Sequence, residues 1–162
     1  MDVRLIELPA ARMATTGPSP DPEPFGDGTV LSRFDAWFSA RTDQLPLAPR
    51  DLMWFDESAQ ALAWGYLLAP DDDGGPWDVV DFPGGLYAGA VYRDLDDADG
   101  ERVLGLLREW IAASPFVLDE TAERPVAFRI TSPERAAKVL GHHQAELLVP
   151  VRIDGEGGAG AL

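Results

Sequence analysis

Apolar residues along this chain fall into short runs divided by proline and glycine, and the spacing within each run predicts an element. Alternation over residues 3 to 8 and 77 to 82 predicts strands, each turned by proline and small residues into a second strand, 12 to 16 and 86 to 92. Val30, Leu31, Phe34, Trp37 and Phe38 recur at helical spacing behind Thr29, a candidate N-cap. Val103, Leu104, Leu107, Trp110 and Ile111 do the same behind Asp99, and Pro46 and Pro115 lie beyond the two helix ends. Four further strands are predicted at 51 to 55, 62 to 69, 125 to 130 and 145 to 153. Ser132, Pro133 and Glu134 carry cap and first-turn signals, and Gly141 a stop signal, so a short extra helix is expected over Arg135 to Leu140. The stretch from Pro18 to Gly28 reads as a loop, and Asp154 to Leu162 as a disordered tail.

The order of these elements repeats. Ile6 to Ala14 matches Val80 to Ala88 in residue class, with Pro9 and Pro83 aligned, and Val30 to Ala40 matches Val103 to Ala113, with Trp37 and Trp110 aligned. Arg50 and Arg124 both precede hydrophobic runs, and Leu67 to Pro70 resembles Leu147 to Pro150. Matches in the same order predict a duplicated ββαββ unit, residues 2 to 70 and 76 to 153, within a single α+β domain spanning 1 to 153.

Strand alternation then assigns faces. Leu147, Val149, Val151 and Ile153 are expected beneath the helices, with Glu146, Leu148, Pro150 and Arg152 opposite. By the repeat, Ala63, Gly65, Leu67 and Ala69 are placed under the first helix, and Trp64, Tyr66 and Leu68 away from it. The same parity sets Trp54 against Phe128, which shares its face with Val126 and Ile130. Trp54, Trp64, Tyr66, Leu68, Phe128, Ile130 and Leu148, with Glu146 as a carboxylate, are therefore the candidate lining of a ligand cleft between the two units. These aromatics equally suit a sheet covered on both faces, in which case they are core. Glu146 reads either as a solvated edge residue or as a cleft acid with a raised pKa.

Composition narrows the function. The 162 residues are 46% hydrophobic, enough for one compact core, and carry a net charge of −15 that repels phosphate backbones, so direct nucleic-acid binding is not expected. No helix-turn-helix or basic region appears. Ten acids lie between Pro70 and Glu101 against the single Arg93, which places much of the charge on a solvated connection. Cysteine is absent, which excludes a disulfide framework and a thiol nucleophile. There is no apolar run of membrane-spanning length, and Met1 to Arg4 lack signal-peptide order, so the expectation is a cytoplasmic protein without a membrane partner. Gly84, Gly85 and Gly89 sit in a turn and strand rather than before a helix, which argues against a nucleotide site. His142 and His143 diverge as neighbours, and the Asp71 to Asp73 run lacks calcium-loop spacing, so no metal and no cofactor are expected.

Three segments carry a family resemblance: Asp81-Phe82-Pro83-Gly84-Gly85-Leu86-Tyr87-Ala88, the helix end Arg108-Glu109-Trp110-Ile111, and the closing Glu146-Leu147-Leu148-Val149-Pro150-Val151. Together they resemble the GyrI-like small-molecule-binding domain of the SOUL/GyrI-like superfamily, the effector-binding half of several bacterial multidrug-responsive regulators. The resemblance implies a pseudo-twofold pair of strand and helix units forming a curved antiparallel sheet, two main helices on one face, and a ligand cleft between the units. It also implies hydrophobic, often cationic, aromatic ligands; some members inhibit DNA gyrase and some hydrolyse cyclopropane-bearing genotoxins. Many members carry a glutamate in the strand before the last, where Phe128 stands in this chain, and no acid lies between Pro125 and Ser132. That departure favours a binder over an enzyme and leaves no catalytic residue to name. The expectation is a standalone protein for drug or toxin sequestration or effector sensing. Its hydrophobic or cationic ligand would stack on Trp54, Trp64 and Tyr66, with Glu146 as charge partner. The alternatives are a hydrolase of strained electrophiles and a gyrase-inhibitor-like interaction module partnered by gyrase or a regulator.

Overall fold

The computed structural model describes residues 1 to 41 and 50 to 156; Pro46 and the tail beyond 156 lie outside the described residues. Nine strands and three helices occur among the described residues, the α+β composition that the pattern predicts. In chain order they are β1 (Arg4–Leu8), β2 (Ala11–Thr15), α1 (Val30–Ser39), β3 (Asp51–Asp56), β4 (Ala61–Leu67), β5 (Asp78–Phe82), β6 (Gly85–Arg93), α2 (Asp97–Ala112), β7 (Phe116–Leu118), β8 (Ala127–Ile130), α3 (Glu134–Leu140) and β9 (Gln144–Ile153). The backbone groups into two compact units. One is the contiguous stretch Ala10–Pro83, and the other joins Met1–Pro9 to the chain from Gly84 onward.

In the contiguous unit the antiparallel strand order is β3-β4-β2-β5. Thr29 caps α1 as its position suggests, its hydroxyl accepting from the Ser32 N–H at 3.3 Å, which satisfies one of the first-turn donors that no helical carbonyl reaches. Leu31 and Phe34 on the inner stripe of α1 are fully buried. The loop from Pro18 to Gly28 is tied down at both ends: Ser19 bridges to Leu62 of β4, and the Thr29 hydroxyl donates to the Pro24 carbonyl at 2.8 Å. Asp72, in the acidic connection after β4, is not simply solvated. Its carboxylate pairs with Arg41 and also accepts from the Gly74 N–H at 3.0 Å.

In the two-segment unit the order is β1-β6-β9-β8, and β7 continues along the same edge of β9 beyond β8. Pro150 falls where β9 changes partner. Its carbonyl accepts from the Asp119 N–H at 3.0 Å, so the missing proline N–H falls at a break in the pairing on that edge. The predicted stripe of α2 forms the core: Val103, Leu107 and Ile111 pack on Ala88 and Ala90 of β6 and on Leu147, Val149 and Val151 of β9. The strand face assigned to the helix from the alternation of β9 is thus the observed one.

Two local expectations change. Helix α2 begins at Asp97 with Asp96, not Asp99, as its N-cap; the Asp96 carboxylate accepts from the Asp99 N–H at 3.0 Å. Asp99 sits inside the first turn, where its own carboxylate accepts from the Arg93 N–H at 2.8 Å and from Arg102. Strand β7 was not expected, because three residues after Pro115 are too few to show alternation; its pairing partners are 33 to 37 residues away, with Leu118 opposite Val151 and Phe116 opposite Ile153.

Candidate functional site

The faces of the contiguous unit follow from the register of β3 and β4. Asp51 lies opposite Tyr66, Met53 opposite Trp64, and Trp54 opposite Ala63, and residues directly opposite in an antiparallel pair share a face. Helix α1 packs on Trp64 and Tyr66: the Phe38 ring is 5.2 Å from Trp64 and stacks on Tyr66 at 5.4 Å, and Phe34 is 6.0 Å from Trp64. This corrects the expectation that Trp64, Tyr66 and Leu68 point away from the helix. The physical reason lies in β4 itself. Ala63 and Gly65 bury little apolar area, whereas covering Trp64 and Tyr66 removes far more surface from water, so the helix sits on the large side chains.

Around them gathers a continuous aromatic cluster. Trp37 is edge-on to Tyr66 at 5.8 Å, Trp77 edge-on to Phe34 at 4.9 Å, and Phe25 of the loop closes on Trp64 at 6.2 Å. The Trp64 indole N–H donates to Asp51 at 3.0 Å, and the guanidiniums of Arg41 and Arg50 lie over the Tyr66 ring at 5.7 and 5.2 Å. Leu68, just past β4, is buried as well. Phe34, Trp64, Tyr66 and Leu68 belong to the core of the unit. Trp54 alone among the five tryptophans lies on the helix-free face, half-buried, beside Leu52, Ala63 and Gly65. On that face the Met13 thioether lies over Gly65, occupying the space that a Cβ would need.

In the two-segment unit the register of β8 and β9 sets Ala127 opposite Leu148, Phe128 opposite Leu147, Arg129 opposite Glu146 and Ile130 opposite Ala145. Phe128 therefore belongs to the α2 face, against whose core it packs, and Ile130, 44% exposed, has the same parity. Neither shares a face with Glu146 and Leu148, contrary to the sequence-based grouping. Carrying Trp54 onto Phe128 by a fixed offset fails by one residue, and a one-residue slip moves a side chain to the other face.

The helix-free face of this unit carries Glu146, 1% exposed, held between two arginines. Arg129, itself 9% exposed, donates through Nε and Nη2 to Oε2 at 3.2 and 3.0 Å. Arg4 of β1 donates through Nη2 to Oε1. Gly89 of β6 makes the arrangement possible: a Cβ there would stand 3.0 Å from the Glu146 carboxylate and 3.1 Å from Leu148. A carboxylate so desolvated is retained as a charge because both oxygens are answered by guanidinium donors. Further along the same face, Tyr87 of β6 is buried beneath Arg124, whose guanidinium lies 4.9 Å above the ring. Arg124 also donates to the Leu86 carbonyl at 2.6 Å and to Asp119. Burial pushes the Tyr87 phenol above its ordinary pKa, with the Arg124 hydrogen bond partly opposing it.

Of the candidate residues, Trp54, Glu146 and Leu148 lie on helix-free faces, while Trp64, Tyr66 and Leu68 join the α1 core and Phe128 the α2 side. Arg4 and Arg129 were missed. An arginine inside an otherwise apolar strand is a cue to a buried acid, and Arg129 in the run Val126-Ala127-Phe128-Arg129-Ile130 gave that cue. His143 contacts the Ser132 hydroxyl at 3.3 Å and the Glu134 carboxylate at 3.2 Å. Among the described residues no three histidine, aspartate or glutamate side chains converge as a metal site.

The fold is shared with several solved structures. EcmrR resembles this chain both in its DNA complex and as its isolated C-terminal domain. The TM-scores are 0.63 and 0.59 at 10% and 9% identity; 94% of this chain is covered in each case, and 57% and 98% of the other. SAV2435 bound to tetraphenylphosphonium matches with a TM-score of 0.54 at 11% identity, over 94% of each chain. A hydrolase from Listeria innocua matches with a TM-score of 0.60 at 15% identity, over 93% of this chain and 91% of that one. No protein-family profile matches the chain, and no curated protein matches it in sequence.

Proposed function

We propose that this chain is a GyrI-like effector-binding domain that captures aromatic small molecules on the helix-free faces of its sheets, for sequestration or sensing. The observation that carries the reading is the likeness in fold, over nearly the whole of both chains, to a protein with tetraphenylphosphonium bound. The resemblance to the EcmrR C-terminal domain points the same way. Trp54, half-buried, supplies aromatic surface on the helix-free face of its sheet, while the α1 cluster is a scaffold whose rings pack on one another.

The test uses the position of the tryptophans. Trp37, Trp64 and Trp77 lie in the α1 cluster and Trp110 stacks on Phe116, which leaves Trp54 as the reporter on a helix-free face. Aromatic probes of either charge are expected to raise the melting temperature and quench tryptophan emission, and Trp54→Phe to remove most of the quenching. If no aromatic probe of either charge shifts the melting temperature, the reading is wrong.

A second reading, hydrolysis, rests on the likeness to the Listeria innocua hydrolase. A water-activating carboxylate needs a lone pair directed at water. Both oxygens of Glu146 accept from arginines, so the binding reading has the stronger support. Multiple turnover of a strained electrophile, lost in Glu146→Gln, would reverse that order.

A further inference from the structure

Independently of the binding reading above, we infer that Ser132 is an activated nucleophile that takes acyl groups from small esters with good leaving groups. His143 is its base, and Glu134 is the residue that positions the base. Ser132 lies two residues past β8 and His143 immediately precedes β9, so the α3 excursion brings both to the foot of one antiparallel pair. The backbone fixes them there. The Thr131 N–H donates to the Gln144 carbonyl at 2.9 Å, and the Asp94 N–H donates to the His143 carbonyl at 3.0 Å. Gly141, with a φ of 78°, turns the chain back after α3 in a conformation that favours glycine. The Ser132 hydroxyl thus stands 3.3 Å from His143 Nδ1, and His143 Nε2 stands 3.2 Å from Glu134 Oε2. Lys138 approaches the other Glu134 oxygen at 3.9 Å, which leaves Oε2 to the imidazole.

The proton positions follow from the partners. A carboxylate only accepts, so in the neutral ring Nε2 carries the proton and donates to Glu134, which leaves the Nδ1 lone pair facing the Ser132 hydroxyl. The Gln144 N–H donates to Ser132 Oγ at 2.9 Å, so the hydroxyl directs its own proton at Nδ1, and the same N–H stabilises negative charge as it develops on Oγ. This is the relay order of a serine hydrolase with the two ring nitrogens exchanged. Ser39 and Ser58 differ, because they donate to Asp35 and Asp56, and a carboxylate is a far weaker base than imidazole. Ser132 is half-buried and the His143 side chain is 31% exposed, so a small donor reaches both from solvent. In the step, Oγ bonds to the acyl carbon as its proton passes to Nδ1. The bond from that carbon to the leaving oxygen then breaks; the leaving oxygen keeps the electron pair and collects the proton from His143, which leaves an ester on Ser132 and a neutral imidazole. The relay acts on the nucleophile alone, so the donors it suits are those whose leaving oxygen is stable as an anion, such as aryl esters and acyl phosphates.

The experiment incubates the full chain with an alkyl fluorophosphonate, whose P–F bond breaks as a serine Oγ bonds to phosphorus, and maps the labelled serines over time by peptide mass spectrometry. Ser39 and Ser58, both more exposed than Ser132, supply the rate of a serine without the relay. Ser132 is expected to label faster than either by about a hundredfold or more, the contribution of a positioned base. His143→Gln should remove that advantage. Glu134→Gln should reduce it, and because the Glu134 side chain is 68% exposed the melting temperature should stay close to wild type, which separates activation from folding. Labelling of Ser132 no faster than of Ser39 and Ser58 overturns the inference. So does a Ser132 rate unchanged by His143→Gln, or by Glu134→Gln if the histidine variant does not fold. In parallel, p-nitrophenyl acetate should release nitrophenol faster with the wild type than with Ser132→Ala; equal release overturns the assignment of acyl donors.

Discussion

Arg129 and Glu146 face each other across β8 and β9, joined by N–H to oxygen distances of 3.0 and 3.2 Å, with almost no exposure on either side chain. Removing either partner strands a buried charge. Arg129→Met or Glu146→Leu alone should cost about 3–5 kcal/mol, whereas the double change should recover much of that loss, since an apolar pair of similar volume needs no compensation. Urea unfolding of the three variants checks this, and additive losses would mean that the two side chains are not energetically coupled.

Phe34 and Trp64 lie at the centre of the α1 cluster, whereas Trp54 is half-buried on the opposite face of the sheet. Phe34→Ala and Trp64→Ala should each cost about 3–5 kcal/mol, and Trp54→Ala clearly less, about 1–2 kcal/mol. A Trp54 variant less stable than the Trp64 variant would reverse the face assignment.

Asp99 is held below the usual carboxylate range, first by the Arg93 N–H and then by the Arg102 side chain. Its charged form is favoured in the folded protein. The stabilisation is therefore present above the ordinary value of 3.8 and is lost as pH falls through the lower folded pKa. Asp99→Asn should be less stable than wild type near neutrality, and the difference should shrink in acid. Thermal melts from neutral pH down to about pH 3 read the convergence.

Tyr92 behaves in the opposite sense. Burial, aided by Asp94 and Asp97, pushes its phenol from 10.0 to about 12, so its neutral form is favoured in the folded state. That contribution is complete below pH 10 and disappears as pH rises towards 12. Tyr92→Phe should lose less stability than wild type over this alkaline window, with phenolate absorbance recording the titration directly. Equal alkaline losses in the two proteins would contradict the assignment.

Most of the secondary structure was legible because helical and alternating patterns are local. The α2 stripe, the Thr29 cap and the split of β9 into an α2 face and a Glu146 face needed no knowledge of partners. What failed was parity between strands far apart in sequence. Within Ala61 to Leu67 the cue was side-chain size, since the helix covers the larger Trp64 and Tyr66, and parity carried over from the repeat overrode it. Register also decides what Glu146 does. The sequence offers a lone acid in β9, but only the pairing of Phe128 with Leu147 brings Arg129 onto it, and only β1 beside β6 brings Arg4.

The two units differ in when they can be completed. Everything in Ala10–Pro83 emerges consecutively during synthesis, so its strands find their partners as they appear. Strand β1 is made before the contiguous unit, yet its partner is β6, with Arg4 opposite Gly89, and the carboxylate that Arg4 grips arrives only with β9. Until then an apolar edge, Leu5 and Ile6 included, waits unpaired. The contiguous unit should thus fold early and independently of β1. The pairing of Arg4 with Glu146 should be the last part to form, and the first to be lost when β1 is removed or tagged.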